Sequence, residues 1–252
     1  MLDTLVDAAG RIDPALPLDA QVDRTHEAMQ AYGFATLVYD YTPVPWTHDG
    51  AMIAPSLLCL RNAPDDMFAR WCDDGYYQRD PVQQVAMRTH APFTWCYRDK
   101  AGTVINTVID DSHRPVVEYL RDSGMVYGAT VPLHMPGGGY ATLTGICRGA
   151  DATAEAEVRH RLADFALLAH VFHAGAFARY DPSAHVTRAV SLSARERECL
   201  QFAAEGLTAK EIAWRLNRSI ATVVMHLNAA TRKLGARNRV HAVTMAVHYR
   251  LL

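Results

Sequence analysis

Thr208-Ala-Lys-Glu-Ile-Ala-Trp-Arg-Leu-Asn-Arg-Ser-Ile-Ala-Thr-Val-Val-Met-His-Leu-Asn-Ala-Ala-Thr-Arg-Lys-Leu-Gly235 reads as two helices joined by a tight turn. Thr208 with Glu211 three residues on forms a capping box, Asn217-Arg218 breaks the helical pattern, and Ser219 caps a second, longer helix. In that helix Val223, Leu227, Ala230 and Leu234 recur at i, i+4, i+7 and i+11, one apolar stripe. Ala221, Met225, Asn228 and Arg232 therefore face outward. Ser193 with Glu196 marks a further capping box upstream, closed by Gly206, and Asn238–Leu252 reads as a fourth helix with Val240, Val243, Val247 and Leu251 on one side. Short helix, tight turn, longer helix is the helix-turn-helix order. All-α domains that bind no nucleic acid also contain such pairs, so spacing alone leaves both readings open.

Charge separates them. From Thr187 onward eleven Lys and Arg stand against four Glu, a net +7, whereas the first 186 residues carry fourteen against twenty-three, a net −9. A basic segment attached to an acidic one suits phosphate neutralisation, in which each Lys or Arg contact releases condensed counterions. The near-neutral total of −2 conceals this polarity.

The 252 residues, half of them apolar, suffice for a medium domain plus a small one. Met1 to Pro17 lacks a basic segment followed by an apolar run, and no stretch approaches the roughly 18 apolar residues of a membrane span, so a cytoplasmic protein without a membrane partner is expected. Cys59, Cys72, Cys96, Cys147 and Cys199 are odd in number and widely spaced, the pattern of reduced thiols. No metal-ligand cluster, phosphate-binding glycine loop or nucleophile motif is present, and the twelve histidines are scattered, so neither cofactor nor catalytic residue is expected. The turn-rich stretch 181–190 reads as a linker between a domain at 1–180 and the basic domain at 191–252.

Upstream, strand-like runs at Gly33–Tyr39, Pro92–Tyr97, Val126–His134 and Tyr140–Cys147 are rich in β-branched and aromatic residues. Gly137-Gly-Gly139 marks a hairpin between the last two. Helical runs are expected at about 19–32, 65–75 and 113–123, and a long one over Thr153–Tyr180. The fold class is α+β, followed by an all-α four-helix module.

The densest aromatic cluster is Met67-Phe-Ala-Arg-Trp71-Cys-Asp-Asp-Gly-Tyr76-Tyr-Gln-Arg-Asp80-Pro-Val82, with Pro92-Phe-Thr-Trp95 beyond it. Met67 and Trp71 share a helix face. Asp80 has two readings: a buried acceptor for the N–H of a bound amide, or simply the N-cap of a helix that starts at Pro81.

The basic segment resembles the LuxR-type helix-turn-helix through Leu192-Ser-x-Arg-Glu196, Gly206, Glu211-Ile-Ala213, Thr222-Val223, Lys233-Leu-Gly235 and Asn238-Arg239. The upstream part is similar to the autoinducer-binding domain of LuxR-type quorum-sensing regulators through Tyr76, Asp80-Pro81, Pro92, Trp95, Tyr127-Gly128 and Pro132. The resemblance covers nearly the whole chain and implies an N-terminal α-β-α sandwich ligand-binding domain followed by the helix-turn-helix domain. It makes Asp80 the acceptor for the amide of an acyl-homoserine lactone. Met67, Trp71, Tyr76, Val82, Trp95, Thr130 and Thr144 complete the implied ligand contacts. Val224 and Asn228 are the implied base-facing residues, Met225 joins them as a DNA-binding candidate from the outward face, and Lys210, Arg218, Thr222, Arg232, Lys233 and Arg237 are the phosphate candidates. The partners so implied are a small-molecule signal, a second copy of the chain, and double-stranded DNA carrying an inverted-repeat operator.

The departures from the family pattern bear on the ligand. Met67 stands where the family has a Trp whose indole N–H bonds the lactone carbonyl, Trp71 where it has a Tyr, and Ala63 where some members have a tyrosine hydroxyl. Methionine offers no donor. Met67 with Trp71 is similar to the LuxR solo subgroup of plant-associated bacteria, which implies a plant-derived low-molecular-weight ligand. An acyl-homoserine lactone is the alternative, and a ligand-independent DNA-binding protein or an enzyme acting on a small amide or lactone are the further ones. A response regulator does not fit, because the first 150 residues lack the alternating βα order of a receiver domain.

Overall fold

The structure, a computed structural model, describes residues 12–98, 102–149 and 151–252. Most of the Met1–Pro17 segment in which no leader was read therefore lies outside the described residues. Contact density divides the chain into two units. One ends at Pro43 and resumes over Ala54–His185, and the other comprises Val44–Ile53 and Val186–Leu252.

The first unit is built on a five-stranded antiparallel sheet in the order β2-β1-β5-β4-β3. Its strands are β1 (Thr36–Thr42), β2 (Leu57–Arg61), β3 (Phe93–Cys96), β4 (Tyr127–His134) and β5 (Tyr140–Cys147). Gly137 and Gly138, at φ +84° and +90°, make the β4–β5 turn in the left-handed region that glycine tolerates. β2 has no counterpart among the strands read from the sequence. Its residues are half-buried throughout, so Leu57-Leu-Cys-Leu-Arg61 shows none of the alternation that marks a two-faced strand.

Period-two alternation gives the sheet two different faces. Leu37, Tyr39 and Tyr41 of β1, Ala129, Val131 and Leu133 of β4, and Leu143 of β5 are fully apolar or aromatic and join the main core. That face is covered by α1 (Leu18–Gln30), α6 (Ala152–His160) and α7 (Leu162–Phe177), with Met29, Val158, Phe165 and Phe172 buried against it. The expected single helix over 153–180 is interrupted at Arg161, where φ −92° and ψ 5° leave the helical region. The other face carries Val38, Asp40, Thr130, Thr142, Thr144 and Ile146, since Val38 pairs with Thr144, Asp40 with Thr142 and Thr130 with Thr144. Four polar side chains on a buried face must find partners there. This face is the floor of the candidate site. The short helices α2 (Met67–Cys72), α3 (Tyr76–Arg79), α4 (Pro81–Ala86) and α5 (Arg114–Asp122) follow in sequence between β2 and β4.

Gly128 fixes a wall of that face. A Cβ built on it would lie 2.6 Å from the Trp95 ring and 2.5 Å from the carbonyl oxygen of Gly145, so only glycine lets the indole lie across β4. Gly128→Ala is expected to cost about 1–3 kcal/mol through overpacking and to alter the near-ultraviolet circular dichroism of the displaced Trp95. An unchanged spectrum and melting temperature would contradict this packing.

The second unit contains α8 (Ala194–Ala204), α9 (Ala209–Leu216), α10 (Ile220–Lys233) and α11 (Arg239–His248). The caps are as the sequence indicates. Ser193 and Glu196 bond each other's backbone N–H reciprocally, as do Thr208 and Glu211, while Ser219 accepts from Thr222 N–H at 3.1 Å. Asn217 at φ +50° ends α9 in the left-handed conformation. Val223, Leu227, Ala230 and Leu234 are buried as the stripe predicts, with Leu200, Ile212 and Met245. The fourth helix departs from its reading in part, for Val243 and Leu251 pack on this core and the other two residues do not. Val240 is 76 % exposed and Val247 59 %, and the inward face is instead Ala242, Met245 and Ala246. Alanines allow close helix approach, and a reading weighted by side-chain hydrophobicity favours the bulkier valines.

Candidate ligand cavity and nucleic-acid interface

The candidate ligand cavity is assembled from two local signals and from long-range strand pairing. α2 brings Met67 and Trp71 to one face, both 2 % exposed, as i, i+4 spacing requires. Asp80, in an extended conformation before Pro81, caps α4 by accepting Val82 N–H at 2.8 Å. The plain capping role is thus present. The same carboxylate also accepts the Tyr97 hydroxyl at 3.1 Å and lines a cavity with Val38, Met67, Trp71, Val82, Gln83, Trp95, Thr144 and Ile146. The two readings of Asp80 are compatible, because a carboxylate has about four acceptor sites.

Burial pushes Asp80 up to about 6, opposed by the Val82 N–H, the Tyr97 hydroxyl and the Trp71 indole, all of which favour the charged form. Trp95 donates its indole N–H to Thr130 Oγ1 at 2.9 Å, and Thr130 and Thr144 share a hydrogen bond of 2.9 Å. With the indole proton on Thr130, the Thr130 proton can pass to Thr144 and leave the Thr144 O–H as a donor toward the cavity. Free space among these side chains is about 20 Å³, room for one water molecule. Ligand cavities are usually about 300–1,000 Å³, so an incoming molecule must move walls. Met67, with three rotatable bonds, is the most adaptable of them.

Of the residues expected here, Met67, Trp71, Asp80, Val82, Trp95 and Thr144 line the cavity together. Thr130 lies behind, fully buried, holding Trp95 and Thr144. Tyr76 is half-buried and packs between Trp71 and Tyr119, with Arg70 and Arg79 over its ring, outside the lining set. Val38, Gln83 and Ile146 belong to the lining and were not anticipated. Behind Gln83 lies Asp40, which accepts from Tyr77 at 3.1 Å, from Gln83 Nε2 at 3.0 Å, and from Thr142. Burial raises Asp40 to about 7 against those three donors. The strand read from the sequence stopped at Tyr39, one residue short of Asp40, which the structure places inside β1.

On the candidate nucleic-acid face, Val224, Met225, Asn228 and Arg232 of α10 are exposed, with Val224 at 40 % and Met225 at 57 %. Lys210, Arg218 and Arg237 are exposed as well. Thr222 is half-buried and its hydroxyl bonds Ser219 Oγ at 2.9 Å. Lys233 is tied to the buried Glu196 at 2.7 Å, joining the end of α10 to the cap of α8. Trp214, 84 % exposed on α9, is a large apolar group that the sequence reading did not single out.

Residues 18–176 match the autoinducer binding domain, and residues 190–246 match the luxR family of bacterial regulatory proteins. The chain belongs to the LuxR family of transcriptional regulators. Among LuxR-type relatives, the transcriptional activator VanR of Vibrio anguillarum is 33 % identical over 75 % of this chain and 75 % of its own length. The quorum sensing-dependent regulator RpaR of Rhodopseudomonas palustris is 29 % identical over 96 % of this chain and 90 % of its own. The fold is shared with Escherichia coli SdiA, at TM-score 0.52 and 20 % identity over 94 % of this chain and 93 % of SdiA. CepR2 of Burkholderia cenocepacia, an N-acylhomoserine lactone dependent factor, matches 71 % of this chain and 96 % of its own at TM-score 0.53 and 21 % identity. LuxR-family chains are ligand-binding transcriptional regulators, not enzymes. No helix among the described residues is long and apolar enough to cross a membrane.

Proposed function

We propose that this LuxR-family regulator is a cytoplasmic homodimer that senses a plant-derived low-molecular-weight compound and binds an inverted-repeat operator. The observation that carries the ligand reading is Met67, buried in the cavity wall beside Trp71 and Asp80 without a hydrogen-bond donor. A lactone carbonyl placed against it would forgo a hydrogen bond worth about 0.5–1.5 kcal/mol. The indole walls favour a ring-bearing molecule. An acyl-homoserine lactone is the second reading, supported by Asp80 and by the autoinducer-binding match over 18–176.

For the dimer, the exposed Val240 and Val247 of α11 offer an apolar strip that a second copy could cover. Two copies of α10 would then enter successive major grooves, with half-sites about 10 bp apart.

Thermal melting of the full chain against plant phenolics and a series of acyl-homoserine lactones tests the ligand reading. Saturation at 100 times Kd adds about 2.7 kcal/mol to the stability of the sensor. We expect that shift from a plant phenolic and a smaller one from the lactones, with Met67→Trp reversing the order. No shift from any compound, or an unaltered preference in Met67→Trp, would remove the assignment of this cavity.

A further inference from the structure

Gln83 is 3 % exposed, lies in the cavity wall, and has only half of its amide satisfied. Its Nε2 donates to Asp40 Oδ2 at 3.0 Å and Thr142 Oγ1 at 3.2 Å. Its Oε1 is buried without a hydrogen-bond partner. Two facts set this orientation. Asp40 accepts on both carboxylate oxygens, so the amide turns its N–H side toward Asp40 and its carbonyl side away. Thr142, already committed to Asp40, meets the same nitrogen. A buried amide oxygen left without a donor is costly, and a site that holds one discriminates against molecules that cannot donate to it.

We propose that Gln83 is a second ligand-reading residue of the cavity, and that the ligand carries a hydroxyl or N–H that donates to Gln83 Oε1 beside the group held by Asp80. Residues 80 and 83 stand three apart at the start of α4, so their Cβ atoms are about 5–6 Å apart. The two acceptors thus select a molecule with two donors one helical turn apart. Trp71 and Trp95 line the same cavity. A hydroxylated aromatic amide has this form: N–H to Asp80, ring beside the indoles, hydroxyl to Gln83. Asp40 and Thr142 do not touch such a ligand and act as positioning residues that keep the carbonyl side of Gln83 presented. The proposal rests on the cavity being the ligand site and goes beyond it by naming the ligand's second polar group.

Benzamide, 3-hydroxybenzamide and 3-methoxybenzamide are the probes, titrated into the full chain with tryptophan fluorescence as readout. The three share ring and amide and differ in whether the meta group donates. The wild-type chain is expected to bind 3-hydroxybenzamide about tenfold more tightly than either of the others. Gln83→Met is expected to bring the three to within about twofold of one another, and Asp80→Asn to weaken all three. Equal binding of the hydroxy and methoxy compounds by the wild-type chain, with Asp80→Asn still weakening both, would overturn the role of Gln83 and leave the cavity standing. Absence of binding by all three, or affinities indifferent to Asp80→Asn, would remove the cavity and the proposal together. The wild-type ranking decides the matter even if Gln83→Met fails to fold.

Discussion

Operator binding by the proposed dimer is expected to weaken about 10⁴-fold between 50 and 200 mM salt, with a slope of log K against log salt near −7. The basic surplus after Thr187 is not all available to phosphate. Arg195 pairs with Glu198, Arg215 approaches Glu205 at 3.9 Å, Lys233 holds Glu196, and Arg239 donates to the Leu207 carbonyl. Lys210, Arg218, Arg232 and Arg237 stand exposed in the helix-turn-helix and its flank. Four contacts from each of two copies give about eight neutralised phosphates, and about 0.9 counterion-equivalents per phosphate give the slope. Arg232→Ala in both copies is expected to make the slope shallower by about 2 and to weaken all sequences alike. Asn228→Ala is expected to leave the slope unchanged and to cost about 1–3 kcal/mol of discrimination at one base position. Electrophoretic or fluorescence titrations over the salt series read both quantities. A slope shallower than −3 for the unmodified chain would mean that these cations do not face DNA.

The helix-turn-helix was legible because its determinants are local. Each capping box closes within three residues, Gly206 and Gly235 adopt the positive φ expected past a helix end, and the α10 stripe repeats at helical spacing. The face of α11 was legible only in part, since its buried side is led by Ala242 and Ala246 while Val240 and Val247 face outward. In the sensor, the glycine-marked hairpin and the i, i+4 pair Met67 and Trp71 were equally local. Gln83 and Asp40 were hidden for the opposite reason. Their meeting depends on the β1–β5 register that sets Asp40 opposite Thr142, about a hundred residues away, and no spacing in the sequence encodes that register. Asp80 shows an intermediate case, in which the cap was readable from Asp-Pro but the cavity around it needed Trp95 and Thr144 from distant strands.

Asp40→Asn is expected to stabilise the sensor at pH 8, by up to on the order of 4 kcal/mol, and to lose more than half of that advantage as the pH falls to 5. Burial lifts the Asp40 carboxyl to about 7 from an unfolded value of 3.8. Between those values the folded chain holds a proton that the unfolded chain has released, so stability falls as pH rises from 4 through 7. Above 7 the folded chain retains a buried carboxylate that its three donors do not fully compensate. Asp80, raised to about 6, acts in the same direction over a lower range. His173 acts in the opposite one, because burial holds it near 4 and the unfolded imidazole takes up its proton first as pH falls. The raw pH profile therefore mixes opposing contributions, and the difference between wild type and variant isolates Asp40. Asparagine keeps the shape without the charge, and the hydroxyls of Tyr77 and Thr142 can rotate to meet it. Urea denaturation of both chains at pH 5 and pH 8 measures the difference. A variant less stable than wild type at pH 8, or an equal difference at the two pH values, would show that Asp40 is not held as a strained buried carboxylate. The expected result would instead place a carboxyl that titrates near neutrality directly behind Gln83.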